Sequence, residues 1–499
     1  MASRGNKTDN SISRLRTLLT ERVVRTLELA AEKQASDPLE HFSLEPVNPV
    51  RVLLAYSGGR DSTALADIAA RLYHRPHQSL IASLTVVHIH HGLSAHADEW
   101  VEHARESCRS WNLPLITEHV FVSRASGLGI EGAAREARYR ALARIARDEK
   151  ANVILTAHHL DDRLETFLIQ WMRGAGPEGL SAMSSVRPLE NAPSGSGTVL
   201  ARPWLDVTRD QIDAYCEKAH LSWVEDDSNS DTHYLRNLIR AEIFPRLDEA
   251  REGWRLAAAR SIGLVSQSAS IARSVGEDDA AHCAAGDNPR AIVIARLLAL
   301  PVVRQSLCLR SWLCAQGARA PSKVHLEEAL KQIRETHSDS RLRVRVDGHE
   351  IRRWGANLVL CPVKPQTREG VRDLVLSWKG EQGLPLAYWN GILKFVPCAE
   401  DEDGFDAAAL ESGRLEVRAR KGGEKIKIHR LRPSRNLKHL YQQFKVPAFE
   451  RGSLPLVWLN GELIYAAGLG AEVRALADRD LVKNRVRLEW VPDTPLLAL

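Results

Sequence analysis

From residue 50 to about 160, short apolar runs alternate with segments whose apolar residues recur at helical spacing. The run "VRVLLAYS" leads into a helical pattern from Ser62 to His74, and "LIASLTVVHIHH" leads into "SAHADEWVEHARESCRSW". "PLITEHVFV" is followed by "IEGAAREARYRALARIARDEK", and "ANVILTAHH" by "DDRLETFLIQWMR". Strand-length apolar runs alternating with amphipathic helices predict βαβ units around a parallel sheet, an α/β fold of Rossmann-like type. In such sheets ligands lie beyond the carboxyl ends of the strands. The chemically unusual residues of this region fall at those ends.

Outside this region the pattern changes. "ISRLRTLLTERVVRTLELAAEK" predicts an amphipathic helix to which the pattern assigns no function, and "NAPSGSGT" at 191–198 predicts a surface loop. After Phe244-Pro245, "RLDEAREGWRLAAARSIGLVSQSASIARSV" predicts one long helix. Residues 290–362 read as a mixed segment ending in the strand-like "RLRVRVDGHEIRRW", and "VKPQTREG" at 363–370 reads as a linker. The remainder is rich in strands and turns, with "PLVWLNGELIYAAG" predicting a hairpin about Asn460-Gly461. The expected division is an extension at 1–45, an α/β nucleotide domain at 46–246, a helical and mixed middle domain at 247–370, and a small α+β domain at 371–499.

Composition narrows the class. With 499 residues, 44% hydrophobic and 26% charged, the chain has the make-up of a multidomain globular protein. Its seven cysteines form no CxxC pair, which argues for reduced thiols in a cytoplasmic setting rather than a disulfide framework or a zinc site. The best candidate for a membrane span, "AIVIARLLALPVV", is interrupted by Arg296 and Pro301. Glu21, Glu28 and Glu32 argue against a transit peptide. The net charge of +5 decides little, but residues 411–445 hold eleven Lys or Arg against three acids. That local surplus of eight is the footprint of a phosphate-backbone contact, with a solvated basic face as the alternative.

The stretch Ser57-Gly58-Gly59-Arg60-Asp61-Ser62 carries the chemistry. Two glycines let main-chain N–H groups approach a ligand, hydroxyls add donors, and the following helix turns its positive end to the same point. This makes an anion site suited to a pyrophosphate. Asp61 belongs in such a site only if a Mg²⁺ stands between it and the phosphates. A glycine pair by itself equally describes a tight turn with no ligand.

The full string SGGxDS after an apolar strand resembles the pyrophosphate loop of the N-type ATP pyrophosphatases, the PP-loop superfamily. No Gly-Lys-Ser/Thr follows it, so it is not a Walker loop. Five further blocks, "HIHHGLSAHADEW", "GIEGAAREARYR", "TAHHLDDRLETFLIQWMRGAGPEGLSAM", "ARPWLD" and "WVEDDSNSDTHYLRNLIR", resemble the tRNA(Ile)-lysidine synthetase family. So does the C-terminal "SRNLKHLYQQFKVPAFERGSLPLVWLNGELIYAAG". The resemblance implies an ATP-dependent ligase that adenylates C2 of the wobble cytidine of CAU-anticodon tRNA(Ile). L-Lysine then displaces AMP and forms lysidine, changing tRNA identity from Met to Ile. It implies ATP and Mg²⁺ as cofactors, with Ser57, Gly58, Gly59, Arg60, Asp61 and Ser62 around the phosphates and Asp61 on the metal. A homodimer is compatible with the chain and not specified by it.

A lysine ε-amine is protonated at neutral pH, so its site must hold the ammonium and help it shed a proton. Asp162 and Glu165, three apart at a helix start, fit such a clamp, and a charged first turn is the plainer alternative. Asp161 stands between a site role and capping the helix. His158 is a candidate phosphate contact or proton acceptor, or else a histidine bonded within its own loop. By resemblance His88 and His91 belong to the adenosine side, and Arg135 and Arg138, with Tyr139, stabilise the negative charge of the triphosphate and adenylated base, a solvated basic helix being the plainer alternative for the arginines. The same resemblance places the Arg202-Pro203 pair near the nucleotide. It also implies that Asp227, Asn229, Tyr234, Arg236, Asn237 and Arg240 form a block that walls the pocket, with Arg236 and Arg240 toward tRNA. Arg432, Arg435 and Lys438 are the tRNA contacts expected of the C-terminal domain. Competing readings are another adenylating enzyme of the same fold, such as a tRNA thiolase or an amidotransferase-type synthetase, and a tRNA-binding protein with a relic nucleotide loop. The lack of a suitable cysteine pair and of a glutamine-hydrolysing domain weighs against the first, and the intact Asp61, Asp162 and Glu165 against the second.

Overall fold

Strand β1 (Val50–Ala55) is apolar except at Arg51 and buried on both faces, as expected of a central parallel strand. In this computed structural model, residues 5–33, 48–75, 80–92, 94, 96–122, 129–189, 197–225, 234–286, 288–319, 321–335, 342–363 and 373–493 are described. The described chain forms two compact units, Met1–Ile271 and Ala272–Leu499.

In the first unit, β1 pairs in parallel with β2 (Ile81–His90) on one side and β4 (Val153–Leu155) on the other. β3 (Leu115–His119) lies beyond β2, β6 (Val199–Ala201) beyond β4, and β5 (Val186–Pro188) closes that edge antiparallel. The order β3-β2-β1-β4-β6-β5 reverses direction between β1 and β4. At such a reversal the loops leaving two neighbouring strands diverge to opposite faces and open a crevice.

Helices cover both faces. Along β1 the side chains alternate: Val52 and Leu54 join one buried cluster with helices α1 (Gly5–Glu32), α2 (Arg60–Tyr73), α3 (Ala97–Ser110) and α7 (Arg209–Lys218). Leu53 points the other way, to Leu142, Ile145 and Ala146 of α4 (Gly129–Asp148). The N-terminal helix is thereby given a structural part: Leu19, Val23, Leu27 and Ala30 are buried in the core. The Trp204 indole donates to the Leu19 carbonyl at 3.3 Å, and Arg22 pairs with Asp206 at 2.9 Å.

After α5 (Leu160–Met172) and the short α6 (Pro177–Leu180), α8 (Leu235–Leu238) runs through a π turn, Ile239–Ile243, into α9 (Phe244–Ala250). Here the expected single long helix is corrected. Arg251 is extended (φ −157°), Gly253 has φ +73°, and a new helix, α10 (Trp254–Cys283), starts from Trp254. Asp248 draws the Trp254 indole (2.8 Å) and the Arg255 guanidinium back across the break. Periodicity is blind to this because both helices keep the same apolar spacing.

In the second unit, helices Ile294–Ala299, Val302–Ala315 and Lys323–Glu335 pack on one face of a five-stranded antiparallel sheet. Beyond it, five- and four-stranded antiparallel sheets share one core with helices Ala407–Ser412 and Leu437–Gln443. Leu456–Leu459 and Glu462–Ala466 form the predicted hairpin, with Asn460 (φ 51°) and Gly461 (φ 87°) both left-handed, as a type I′ turn requires. The expected linker at 363–370, apart from Val363, and most of the expected loop at 191–198 lie outside the described residues. Among the described residues no helix is long and apolar enough to cross a membrane.

Candidate active site

The first wall of the crevice is the turn after β1. Gly58 has φ +85°, and a Cβ there would sit 2.9 Å from the Val224 side chain, so both conformation and space require glycine. The neighbouring hydroxyls lock the turn: Ser62 Oγ donates to the Gly59 carbonyl (2.8 Å) and accepts from Ser57 N (3.2 Å). Gly59 N donates to Ser57 Oγ at 3.3 Å. Gly59 is also the N-cap of α2 and contributes no side-chain cap bond, so the positive end of a 14-residue helix faces the crevice.

Arg60 lines the cavity but its charge is engaged elsewhere. It pairs with Asp213 (2.8 Å) and Glu225 (3.1 Å) and lies 4.7 Å over the Trp223 ring. With Val224 N donating to the Gly58 carbonyl (3.0 Å), these contacts pin residues 223–225 onto the glycine turn. Nothing local in the sequence announces this strap, because its partners are more than 150 residues apart.

The second wall is the turn after β4. His159 caps α5: its Nδ1 accepts from Asp161 N (3.2 Å), while Asp162 Oδ2 accepts from His159 N (3.0 Å). The capping residue is thus His159 rather than Asp161, whose carboxylate pairs with Arg255 at 3.3 Å. His159 Nε2 lies 3.6 Å from both Asp61 Oδ2 and Asp162 Oδ2, joining the two walls. Burial opposes a charge on His159, but Asp162 and Asp61 more than compensate and raise its pKa to about 9. Only a neutral ring offers Nδ1 as an acceptor, so charging it costs the cap. A group whose pKa rises on folding contributes stability fully below its unfolded value of 6.5, and that contribution is lost as pH rises through about 9. Thermal melts should therefore show stability falling by at most about 3 kcal/mol across that window. His159→Asn, which can still cap, should flatten the profile. A flat wild-type profile would mean that the cap wins and the ring stays neutral.

Asp162 lines the cavity. Burial works against its ionised form, but the His159 charge, the His159 amide and Arg240 hold its pKa below the ordinary value. Glu165 is fully buried and is gripped by Arg240, whose Nη2 and Nε donate to Oε1 at 2.7 and 3.0 Å. Burial raises the pKa of Glu165 against the pull of Arg240. Arg240 thus sits on the two acids rather than free for tRNA, 3.9 Å from Asp162 Oδ1. Its place follows from the π turn at 239–243, a feature that propensity does not reveal. Arg236 lines the same cavity, whereas Asp227 and Asn229 lie outside the described residues.

Facing this acidic side are Arg135, Arg138 and Tyr139 of α4, with Arg202 buried against Tyr139. Arg135 and Arg138 lie 4.9 and 5.6 Å from the Tyr139 ring, and Arg135 Nη2 donates to its oxygen at 3.4 Å. Burial would raise the phenol pKa, but the Arg135, Arg138 and Arg202 charges bring it below the usual value. His158 stands between the two sides. Burial, against Asp162 but with the arginines, lowers its pKa to about 3, so it is neutral, with Nδ1 bonded to Thr156 Oγ1 at 2.9 Å. His88 is buried, and its Nδ1 donates to the Tyr56 carbonyl at 3.1 Å.

The open crevice has a volume of about 780 Å³, in the range of ligand sites. Asp61 Oδ1 is buried there without a hydrogen-bond partner. Among the described residues no three His, Cys, Asp or Glu side chains converge as a metal cage. One orphan carboxylate oxygen beside a phosphate cradle suits Mg²⁺, which takes one or two carboxylates and completes its shell with phosphates and water. In the second unit, Arg432, Arg435 and Lys438 are exposed, and several neighbours are paired, Arg430 with Asp403 and Lys421 with Asp373.

Comparison with known proteins agrees with this architecture. A family model for a PP-loop domain matches residues 29–247, one for a TilS substrate binding domain matches 293–359, and one for a TilS substrate C-terminal domain matches 415–490. A tRNA(Ile)-lysidine synthase from Ralstonia nicotianae is 37% identical over 453 residues, covering 88% of this chain and 92% of that protein. One from Serratia proteamaculans is 34% identical over 429 residues, covering 84% and 91%. One from Burkholderia pseudomallei is 32% identical over 495 residues, covering 93% and 98%. Among solved structures, the U34-tRNA thiolase NcsA from Methanococcus maripaludis aligns at 16% identity with a TM-score of 0.37, covering 49% of this chain and 80% of that one.

Proposed function

Since the chain belongs to the tRNA(Ile)-lysidine synthase family, we propose that it joins L-lysine to C2 of the wobble cytidine of CAU-anticodon tRNA(Ile), at the expense of ATP. It is an enzyme with a PP-loop ATP-using domain, and its family modifies tRNA by forming lysidine. In the proposed sequence the cytidine C2 oxygen attacks the α-phosphorus and pyrophosphate leaves. The lysine ε-amine then attacks C2, AMP leaves, and the amine proton passes to the site. The product pairs with A, so the tRNA reads as isoleucine rather than methionine. As a tRNA-modifying enzyme it would work in the cytoplasm.

The observation that carries this reading is the meeting of Asp61, His159 and Asp162 beside the phosphate-type turn, opposite Arg135 and Arg138. The amides and hydroxyls of 57–62 would cradle the phosphates, and the arginines would take up charge on the departing group. Asp162 supplies a fixed negative charge for the lysine ammonium, and His158, kept neutral, would contact phosphate rather than take up a proton. Asp61 would hold Mg²⁺, which when bound neutralises phosphate charge. Glu165, sealed behind Arg240, reaches an incoming ammonium only if Arg240 yields its place. In the second unit, the matched substrate domains and exposed Arg432, Arg435 and Lys438 support a tRNA-gripping role.

Incubation with ATP, labelled lysine and unmodified tRNA(Ile) should place label in the tRNA, with one AMP per lysine, and C34→U tRNA should accept none. AMP release that depends on another co-substrate, or label without C34, would refute the assignment.

A further inference from the structure

In the second unit a hairpin joins strands Arg343–Val346 and His349–Trp354. Arg345 is paired across from Glu350 and Arg343 across from Arg352, so all four side chains share one face. The other face sends Val346 and Ile351 into the helix-covered core. Glu350 is 4% exposed at its side chain and takes all three arginines. Oε1 accepts from Arg343 Nη2 (2.6 Å) and Nε (2.7 Å) and, at 3.4 Å, from Arg345 Nε. Oε2 accepts from Arg352 Nη2 (2.6 Å) and Nε (3.1 Å). Arg352 is further fixed 5.1 Å over the Phe449 ring.

We propose that this cluster is a preorganised contact for the phosphodiester backbone of the tRNA, an inference that rests on the reading that the chain acts on tRNA. Three guanidiniums against one carboxylate leave two positive charges. They also carry about fifteen N–H donors for about four lone-pair sites, so most donors are left for another acceptor. A cluster built only for stability would match charges, as Arg304 and Asp279 do one to one elsewhere in the same unit. Arg343 and Arg345 keep 53% and 63% of their side-chain surface. Their rotamers are already restricted by Glu350, so little freedom is lost when a phosphate arrives. Planar, forked donors on a fixed base suit phosphate oxygens.

The test is binding of unmodified tRNA(Ile) by the full chain from about 0.05 to 0.3 M salt. Arg345→Ala removes the most exposed and most weakly paired arginine, so its melting temperature should match the wild type. Its affinity should fall severalfold, and the slope of log affinity against log salt should shallow by about 0.7–0.9, one phosphate contact. Arg345→Lys should restore the slope. If the wild type binds with a steep salt dependence and Arg345→Ala changes neither slope nor affinity, the cluster is a structural ion pair and the proposal is overturned. If the wild type itself binds no tRNA, the broader reading has failed.

Discussion

Asp61→Asn is expected to lower lysine incorporation and pyrophosphate release by about 10²–10³, the range seen when one group stabilising transition-state charge is removed. The change is nearly isosteric, so packing around α2 should persist. Two things are lost. Asp61 Oδ1, buried with no protein partner, is the oxygen that would hold Mg²⁺, and an amide carries no charge there. Asp61 Oδ2 also helps hold the proton on His159 Nε2, so its neutralisation should lower the His159 pKa. Steady-state assays at saturating ATP and Mg²⁺, with melts as a folding control, measure the effect. Retention of half the activity or more would remove Asp61 from the chemistry.

Arg240→Ala should be the most destabilising of the single changes in the cavity wall. It leaves Glu165, which has no exposed surface, as an uncompensated buried carboxylate whose Oε2 already lacks a partner. Breaking such a pair from one side costs about 3 kcal/mol or more. For a unit of this size that is roughly 6–12 °C in melting temperature. The sign with pH is fixed: Glu165, with its pKa raised further, takes up a proton more readily, so the variant's deficit should shrink as pH falls toward 5. Glu165→Gln in the Arg240→Ala background should recover most of the loss, because a neutral amide needs no counterion. If the single and double variants melt alike at pH 7 and pH 5, the pair contributes little and the cavity wall is held by packing alone.

Which parts of this were legible beforehand follows from the range of the interactions. The α/β alternation, the turn at 57–62 and the hairpin at Asn460-Gly461 are written in local spacing, and the structure repeats them. The helix break at 251–253 was not, because apolar periodicity continues across it. His159 sat in view as a neighbour of His158, yet its role as a cap linked to Asp61 needs the two strand ends side by side, a tertiary fact. Arg240 was placed with the tRNA-facing arginines because charge alone cannot tell an exposed guanidinium from one folded back onto Glu165. Arg60 was legible as part of the phosphate turn and not as a strut, since Asp213 and Glu225 come from distant sequence.

The contact between the Trp204 indole and the Leu19 carbonyl reaches further than it first suggests. Trp204 also bridges main chain with His159, and Leu160 N bonds the Val207 carbonyl, so the turn carrying His159 and Asp162 leans on a tryptophan that leans on the first helix. A saturation screen for activity should consequently mark Leu19, Val23 and Leu27 as intolerant positions although they come nowhere near a substrate. A shortened chain beginning at the glycine-loop strand would keep every reactive group and lose the scaffolding that aims one of them.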